Sequence, residues 1–252
     1  MTADIYYERD GAGSAVTLLH SGVCDSRMWD PQWVPLAESF TVVRLDLRGF
    51  GRTPLPPGPY SDAGDVATVL DALGLERTHL VGSSFGGRVA MEFATRYPKR
   101  LDRLVLLCPA VREYPETQSS TIFAAEEDRL LEAGDIAGAT ELNVRTWLSR
   151  DAPREARELV SDAQRHAFEV QLAADRAAEP PEQERVPIDP ARIEAPTLVV
   201  GGGYDMDRFL QIARHLGEVM PNARLIELPW AWHLPNLERP AEVTDLLIAA
   251  LS

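Results

Sequence analysis

The stretch His79-Leu80-Val81-Gly82-Ser83-Ser84-Phe85-Gly86-Gly87-Arg88 decides the reading of this chain. It places a G-x-S-x-G at residues 82–86, between an apolar strand-like run and the helical spacing of Gly87–Ala94. A turn this tight from strand into helix strains its central residue and lifts that side chain off the sheet. The flanking glycines belong there because a Cβ would collide where strand and helix nearly touch. The central residue is Ser84, and a serine presented in this way reads as a nucleophile.

Working outward, strand-like runs alternate with helical segments. Ala15–His20, Phe40–Asp46, Leu80-Val81, Leu101–Cys108, Thr197–Gly201 and Arg224–Leu228 read as strands, each short and rich in apolar residues. Ser61–Leu73 reads as an amphipathic helix ended by Gly74, and the helix after Ser84 runs to Arg96 before Pro98 stops it. Helices at Phe209–Leu216 and Pro240–Ala250 flank the last strand. This alternation predicts an α/β fold, with a mostly parallel central sheet covered by helices on both faces. One stretch breaks the rhythm. Residues 112–187 contain no convincing strand and read as helices Ile122–Leu131, Ile136–Trp147 and Arg154–Ala174, with Glu179–Glu184 as a polar return linker. They are expected to form an all-helical cap (lid) inserted between two strands, leaving 1–111 and 188–252 as the core.

The 252 residues are enough for one large domain. A formal charge of −14 argues against nucleic acid and anionic membrane as partners, and no apolar run approaches the roughly 20 residues of a membrane span. The opening Met1-Thr2-Ala3-Asp4-Ile5 has neither a basic start nor an apolar core, so no signal peptide is expected. Cys24 and Cys108 lack metal-ligand spacing, which fits a reducing cytoplasm; Cys108 reads as an inert core residue.

A serine hydroxyl needs a base, and the base needs an orienting carboxylate. Of five histidines, His20 ends a strand, His79 begins one, His166 lies in the cap and His215 on a helix. His233 lies in the loop Pro229–Pro235 after the last strand, at the carboxyl edge of the sheet where Ser84 also lies. Asp205 follows the strand Leu198–Gly201 and is the preferred acid, with Asp207 as its competitor. Asp46 ends another strand but reads as a partner of its own sharp turn. The chain order is then Ser84, Asp205, His233.

Five pieces in order now carry a resemblance. They are His20-Ser21-Gly22-Val23 with Trp29, Asp46-Leu47-Arg48-Gly49-Phe50-Gly51, Gly82–Gly87, Gly202-Gly203-Tyr204-Asp205, and His233-Leu234-Pro235 with Glu238-Arg239-Pro240. Over essentially its whole length the chain resembles the α/β-hydrolase superfamily, and within it the capped enol-lactonase-like and esterase-like serine hydrolases. The resemblance implies the α/β-hydrolase fold, a Ser84–His233–Asp205 triad, an acyl-enzyme and no metal or organic cofactor. It implies an oxyanion hole from the backbone N–H groups of Phe85 and Gly22, although Ser21 stands where the family has glycine, which leaves the second donor open between Gly22 and Val23. It also implies that the family's opening antiparallel hairpin is truncated, since only Ile5–Glu8 reads as a strand before Ala15. Val23, Trp147 and Trp232 are the candidate substrate-pocket residues, with the cap choosing the substrate. Arg88 reads as a salt-bridging residue, and Cys24 as accessible near the oxyanion loop.

The expected activity is hydrolysis of an ester or lactone of a small to medium, partly apolar substrate. Carbon–carbon bond hydrolysis and perhydrolysis on the same triad are alternatives, as is a ligand-binding receptor with slow hydrolysis. A dehalogenase would need aspartate where Ser84 stands, and a dehydrogenase a G-x-G-x-x-G that is absent. The expected partner is a small-molecule substrate, with a homodimer left open.

Overall fold

The computed structural model describes residues 5–252, so the Met1–Asp4 stretch read for a leader lies outside the described residues. Seven strands form the main sheet: β1 (Tyr7–Gly11), β2 (Ala15–Leu19), β3 (Thr41–Leu45), β5 (Thr78–Ser83), β6 (Leu101–Leu107), β8 (Thr197–Gly202) and β9 (Ala223–Leu228). Their order is β1-β3-β2-β5-β6-β8-β9, with β1 antiparallel to β3 and every other pairing parallel. Among the described residues a single antiparallel strand thus precedes β2, and it begins two residues later than the sequence suggests.

The apolar runs are continuous because both faces are covered. Successive residues of each strand serve opposite cores. Val43, Leu80, Leu104, Leu106 and Val199 pack on one side with α2 (Asp62–Ala72), α3 (Phe85–Arg96) and α7 (Asp207–Val219). Val42, Val81, Val105, Leu107 and Val200 pack on the other with α1 (Asp30–Ala37), α8 (Pro235–Glu238) and α9 (Pro240–Leu251). Ser61 starts α2 by accepting the Gly64 N–H, and Gly74 at φ +67 follows its end.

Between β6 and β8 stand α4 (Gln118–Glu132), α5 (Ile136–Trp147) and α6 (Arg154–Asp175). α4 begins four residues before the periodicity suggests, because Thr117 and Ser120 cap each other's backbone reciprocally. The return segment corrects the strand-free reading of 112–187. Pro181–Gln183 forms β7 and pairs in parallel with β4 (Gly58–Tyr60), outside the main sheet. A proline, a glutamate and a glutamine carry no hydrophobic alternation, so pairing alone reveals this strand. Trp147, Leu148, Ala152, Ala156 and Val160 of the insertion are buried in the core that holds α1, α8 and α9. No helix among the described residues is long and apolar enough to cross a membrane.

Candidate active site

β5 ends and α3 begins on either side of Ser84, whose φ is +50 and ψ −110. That conformation is costly for a residue with a side chain and persists only where packing over-determines it. The packing is visible at the glycines. A Cβ on Gly82 would strike the Gly86 carbonyl, and one on Gly86 would strike the carbonyl oxygens of Leu19 and His20. The backbone of Ser84 is fixed as well: its N–H donates to Leu107 at 2.9 Å, and its carbonyl accepts from Arg88 and Ala110. Ser84 is 7% exposed.

His233 reaches this edge of the sheet from the loop after β9. Its Nδ1 lies 2.8 Å from Asp205 Oδ2, and the two side chains are 3% and 1% exposed. Asp205 Oδ1 accepts the Met206 N–H at 2.7 Å, so both carboxylate oxygens are engaged. Asp207 is elsewhere. It lies at the surface, where Thr117 and Ser119 of the α4 start donate to it and hold its carboxyl below the usual range. No hydrogen bond joins Ser84 Oγ to His233 among the described residues; such bonds often tighten only in a substrate complex.

Loop 20–25 runs beside the elbow. The His20 Nδ1–H donates to the Ser21 carbonyl at 2.8 Å and Nε2 accepts the Leu47 N–H at 2.9 Å, so this ring staples the loop to the end of β3. Burial pushes its pKa down. Asp46 serves two turns, accepting from Ser26 N–H at 2.7 Å and from Arg52 N–H at 2.8 Å. Gly22 backs onto the helix start: a Cβ there would sit 3.4 Å from the Phe85 Cβ. The Phe85 N–H opens α3, where helix N–H groups have no partner within the helix. Gly22 and Val23 are both half-buried in this loop.

The pocket candidates have different settings. Trp147 lies against His233, with ring centroids 4.6 Å apart. Val23 packs into the same apolar cluster as Trp147. Trp232 is half-buried and fixed through its backbone: its N–H donates to Glu238 and its carbonyl faces Cys108 Sγ. Trp230 is half-buried and donates to Glu242, with the Arg239 guanidinium over its ring. Cys24 corrects its reading as accessible, since it is fully buried and burial pushes its thiol well up.

Three residues here escape sequence reasoning. Phe209, four residues after Asp205, packs against His233 at 4.2 Å. Glu238 accepts from Trp232 N–H at 2.8 Å and from Ser149 N–H at 2.7 Å, joining the His233 loop to the segment after α5. Its place in the His233–Pro240 motif is the one signal that could have marked it. Cys108 has φ +44, and its Sγ, an Asp205 oxygen and a His233 nitrogen all lie within 4.8 Å of one another. Burial, then the Asp205 charge, push the thiol well up, which favours a protonated donor over a metal-binding thiolate.

Arg88 and its surroundings form a second buried group, one helical turn past Ser84. Its guanidinium lies 4.5 Å over the Phe85 ring, 3.6 Å from Glu92 and 3.4 Å from Gln183 of β7. Gln183 also binds Arg112 and Asp62. Burial raises Glu92 to about 7 and Asp62 to about 6, with Arg88 opposing in both.

The family profile described as "Alpha/beta hydrolase family" matches residues 18–246. A relative from Caulobacter segnis, named "Putative carbamate hydrolase RutD", is 33% identical, the match covering 98% of this chain and 96% of the relative. Among solved structures, a hydrolase from Pseudomonas aeruginosa PA01 superposes with a TM-score of 0.79 at 29% identity, covering 100% of this chain and 97% of that one. The structure titled "Est816 as an N-Acyl homoserine lactone degrading enzyme" gives 0.77 at 27% identity, covering 97% and 96%. Matched by the family profile over residues 18–246 and by the Caulobacter segnis relative along nearly its whole length, the chain belongs to the alpha/beta hydrolase family.

Proposed function

We propose that the chain is a serine hydrolase that cleaves an ester or lactone of a small to medium, partly apolar substrate through an acyl-enzyme. One observation carries this reading: Ser84 is held at φ +50 on a strand-to-helix elbow, at the same sheet edge as the buried His233–Asp205 pair. In this reading Asp205 accepts the Nδ1–H of His233, which leaves Nε2 as the base. Ser84 Oγ attacks the carbonyl carbon and gives its proton to Nε2. The oxyanion rests on the N–H groups of Phe85 and of Gly22 or Val23, each donor lowering the barrier by about 3–4 kcal/mol. His233 then protonates the leaving oxygen, and a water activated by the same ring releases the acid. In this reading Val23 and Trp232 are the substrate-facing candidates while Trp147 backs the His233 ring, and no step calls for a metal.

A carbamate is a second reading, favoured by the name of the relative at 33% identity. Its carbonyl would undergo the same attack, with an amine-bearing acyl group. Intact-mass analysis after treatment with a small fluorophosphonate tests the nucleophile. One adduct on the parent and none on Ser84→Ala supports the serine reading. No adduct on a folded parent removes it and favours a binding role. Hydrolysis panels of esters, lactones and carbamates then separate the substrate classes.

A further inference from the structure

We propose that Trp147 and Phe209 form an aromatic clamp that positions the His233 ring and favours its cationic form during proton transfer; this rests on the triad reading above. The Phe209 ring centroid lies 4.2 Å from that of His233 at an interplanar angle of 55°, and the Trp147 centroid lies 4.6 Å away at 42°. The two aromatic rings also meet each other edge-on at 5.5 Å and 86°. The imidazole is thus packed against two mutually braced rings, while Asp205 holds its Nδ1.

Each member of the clamp is fixed independently. The Trp147 indole N–H donates to Asn143 Oδ1 at 2.7 Å, and Asn143 Nδ2 donates to the Ala139 carbonyl at 3.0 Å. The Trp147 ring also packs edge-on against Phe123 at 4.8 Å. Phe209 sits in the first turn of α7, where its N–H donates to the Met206 carbonyl at 2.9 Å. The cap and the core therefore supply one wall each.

The chemistry follows from when charge appears. His233 is neutral while Ser84 waits, and becomes an imidazolium only as it takes the serine proton. An aromatic ring within about 6 Å attracts such a cation through its quadrupole, most strongly where water is excluded. An interaction that strengthens only when the cation forms lowers the barrier. An aliphatic side chain of similar bulk would exclude water without supplying that attraction. Trp147 and Phe209 are positioning residues, acting through His233.

The test is the labelling rate with the small fluorophosphonate, followed to saturation on the full chain. Trp147→Leu is expected to lower the maximal labelling rate roughly ten-fold, about 1.4 kcal/mol in the barrier, with an unchanged half-saturating concentration. Trp147→Phe restores the rate to within about three-fold, because a quadrupole returns. Phe209→Leu and Phe209→Tyr form a second pair with the same contrast, which serves if Trp147→Leu fails to fold. Leucine variants that fold and label at the parent rate overturn the clamp, as do leucine and aromatic variants slowed equally. His233→Ala separates the two ideas. If it labels as the parent does, the triad reading falls; if it loses labelling while the leucine variants are unaffected, only the clamp falls.

Discussion

The carbonyl oxygen of Trp147, the last residue of α5, accepts the backbone N–H of His233 at 3.3 Å. An inserted helix is thereby tied by main chain to the loop that carries the proposed base. Glu238 adds a second tie, through the N–H groups of Trp232 and Ser149. Glu238→Ala leaves both donors without their carboxylate. The expected cost is about 2–3 kcal/mol of stability, since charge-assisted hydrogen bonds are the stronger kind. Urea denaturation checks the cost, and labelling of Ser84 is expected to slow with it. A variant as stable as the parent would show that Glu238 is not a tie.

The two neighbouring aspartates should separate cleanly. Asp205→Asn is expected to slow fluorophosphonate labelling by roughly 10³–10⁴-fold, because the amide no longer enforces the Nδ1–H tautomer. Asp207→Asn should stay within about two-fold, since its side chain engages the α4 start at the surface. Comparable losses in both variants would contradict the assignment of Asp205.

Gly86→Ala probes the elbow packing. The added Cβ would meet the backbone carbonyls of Leu19 and His20, neither of which can swing aside like a side-chain tip. A loss of roughly 2–4 kcal/mol in unfolding free energy is expected. A fully stable alanine variant would mean that β2 and α3 are not packed as described.

Glu92 makes stability depend on pH. Burial holds its carboxyl at about 7, against 4.5 for the free group. The folded chain therefore keeps a proton that the unfolded chain releases. The resulting stabilisation is full below about pH 4.5 and is lost as pH rises through about 7. Glu92→Gln cannot ionise and lacks this loss. Its Tm relative to the parent should rise between about pH 4.5 and 8, whatever the offset from the weakened Arg88 contact. A constant difference across that range would refute the raised carboxyl.

What the sequence determined by itself was everything written in local patterns. Doubly buried parallel strands leave unbroken apolar runs, so five of the six runs became main-sheet strands at nearly the expected bounds, and the sixth, Leu80-Val81, is the core of β5. The glycines around Ser84 announce a strand-to-helix contact too close for a Cβ, and the fold contains that contact. His233 and Asp205 could be nominated because both follow strands at one sheet edge. Only the tertiary structure decided which carboxylate meets the histidine, because Asp205 and Asp207 stand two residues apart in sequence, yet one reaches His233 Nδ1 and the other the start of α4. It likewise decided that Pro181–Gln183 is a strand, since its partner lies more than a hundred residues away. The surroundings of His233 belong to the same category. Trp147 and Phe209 carry no local signature of their contacts, because they arrive on α5 and α7 and meet the His233 ring only when those helices pack together, and the Glu238 tie to Ser149 is equally non-local.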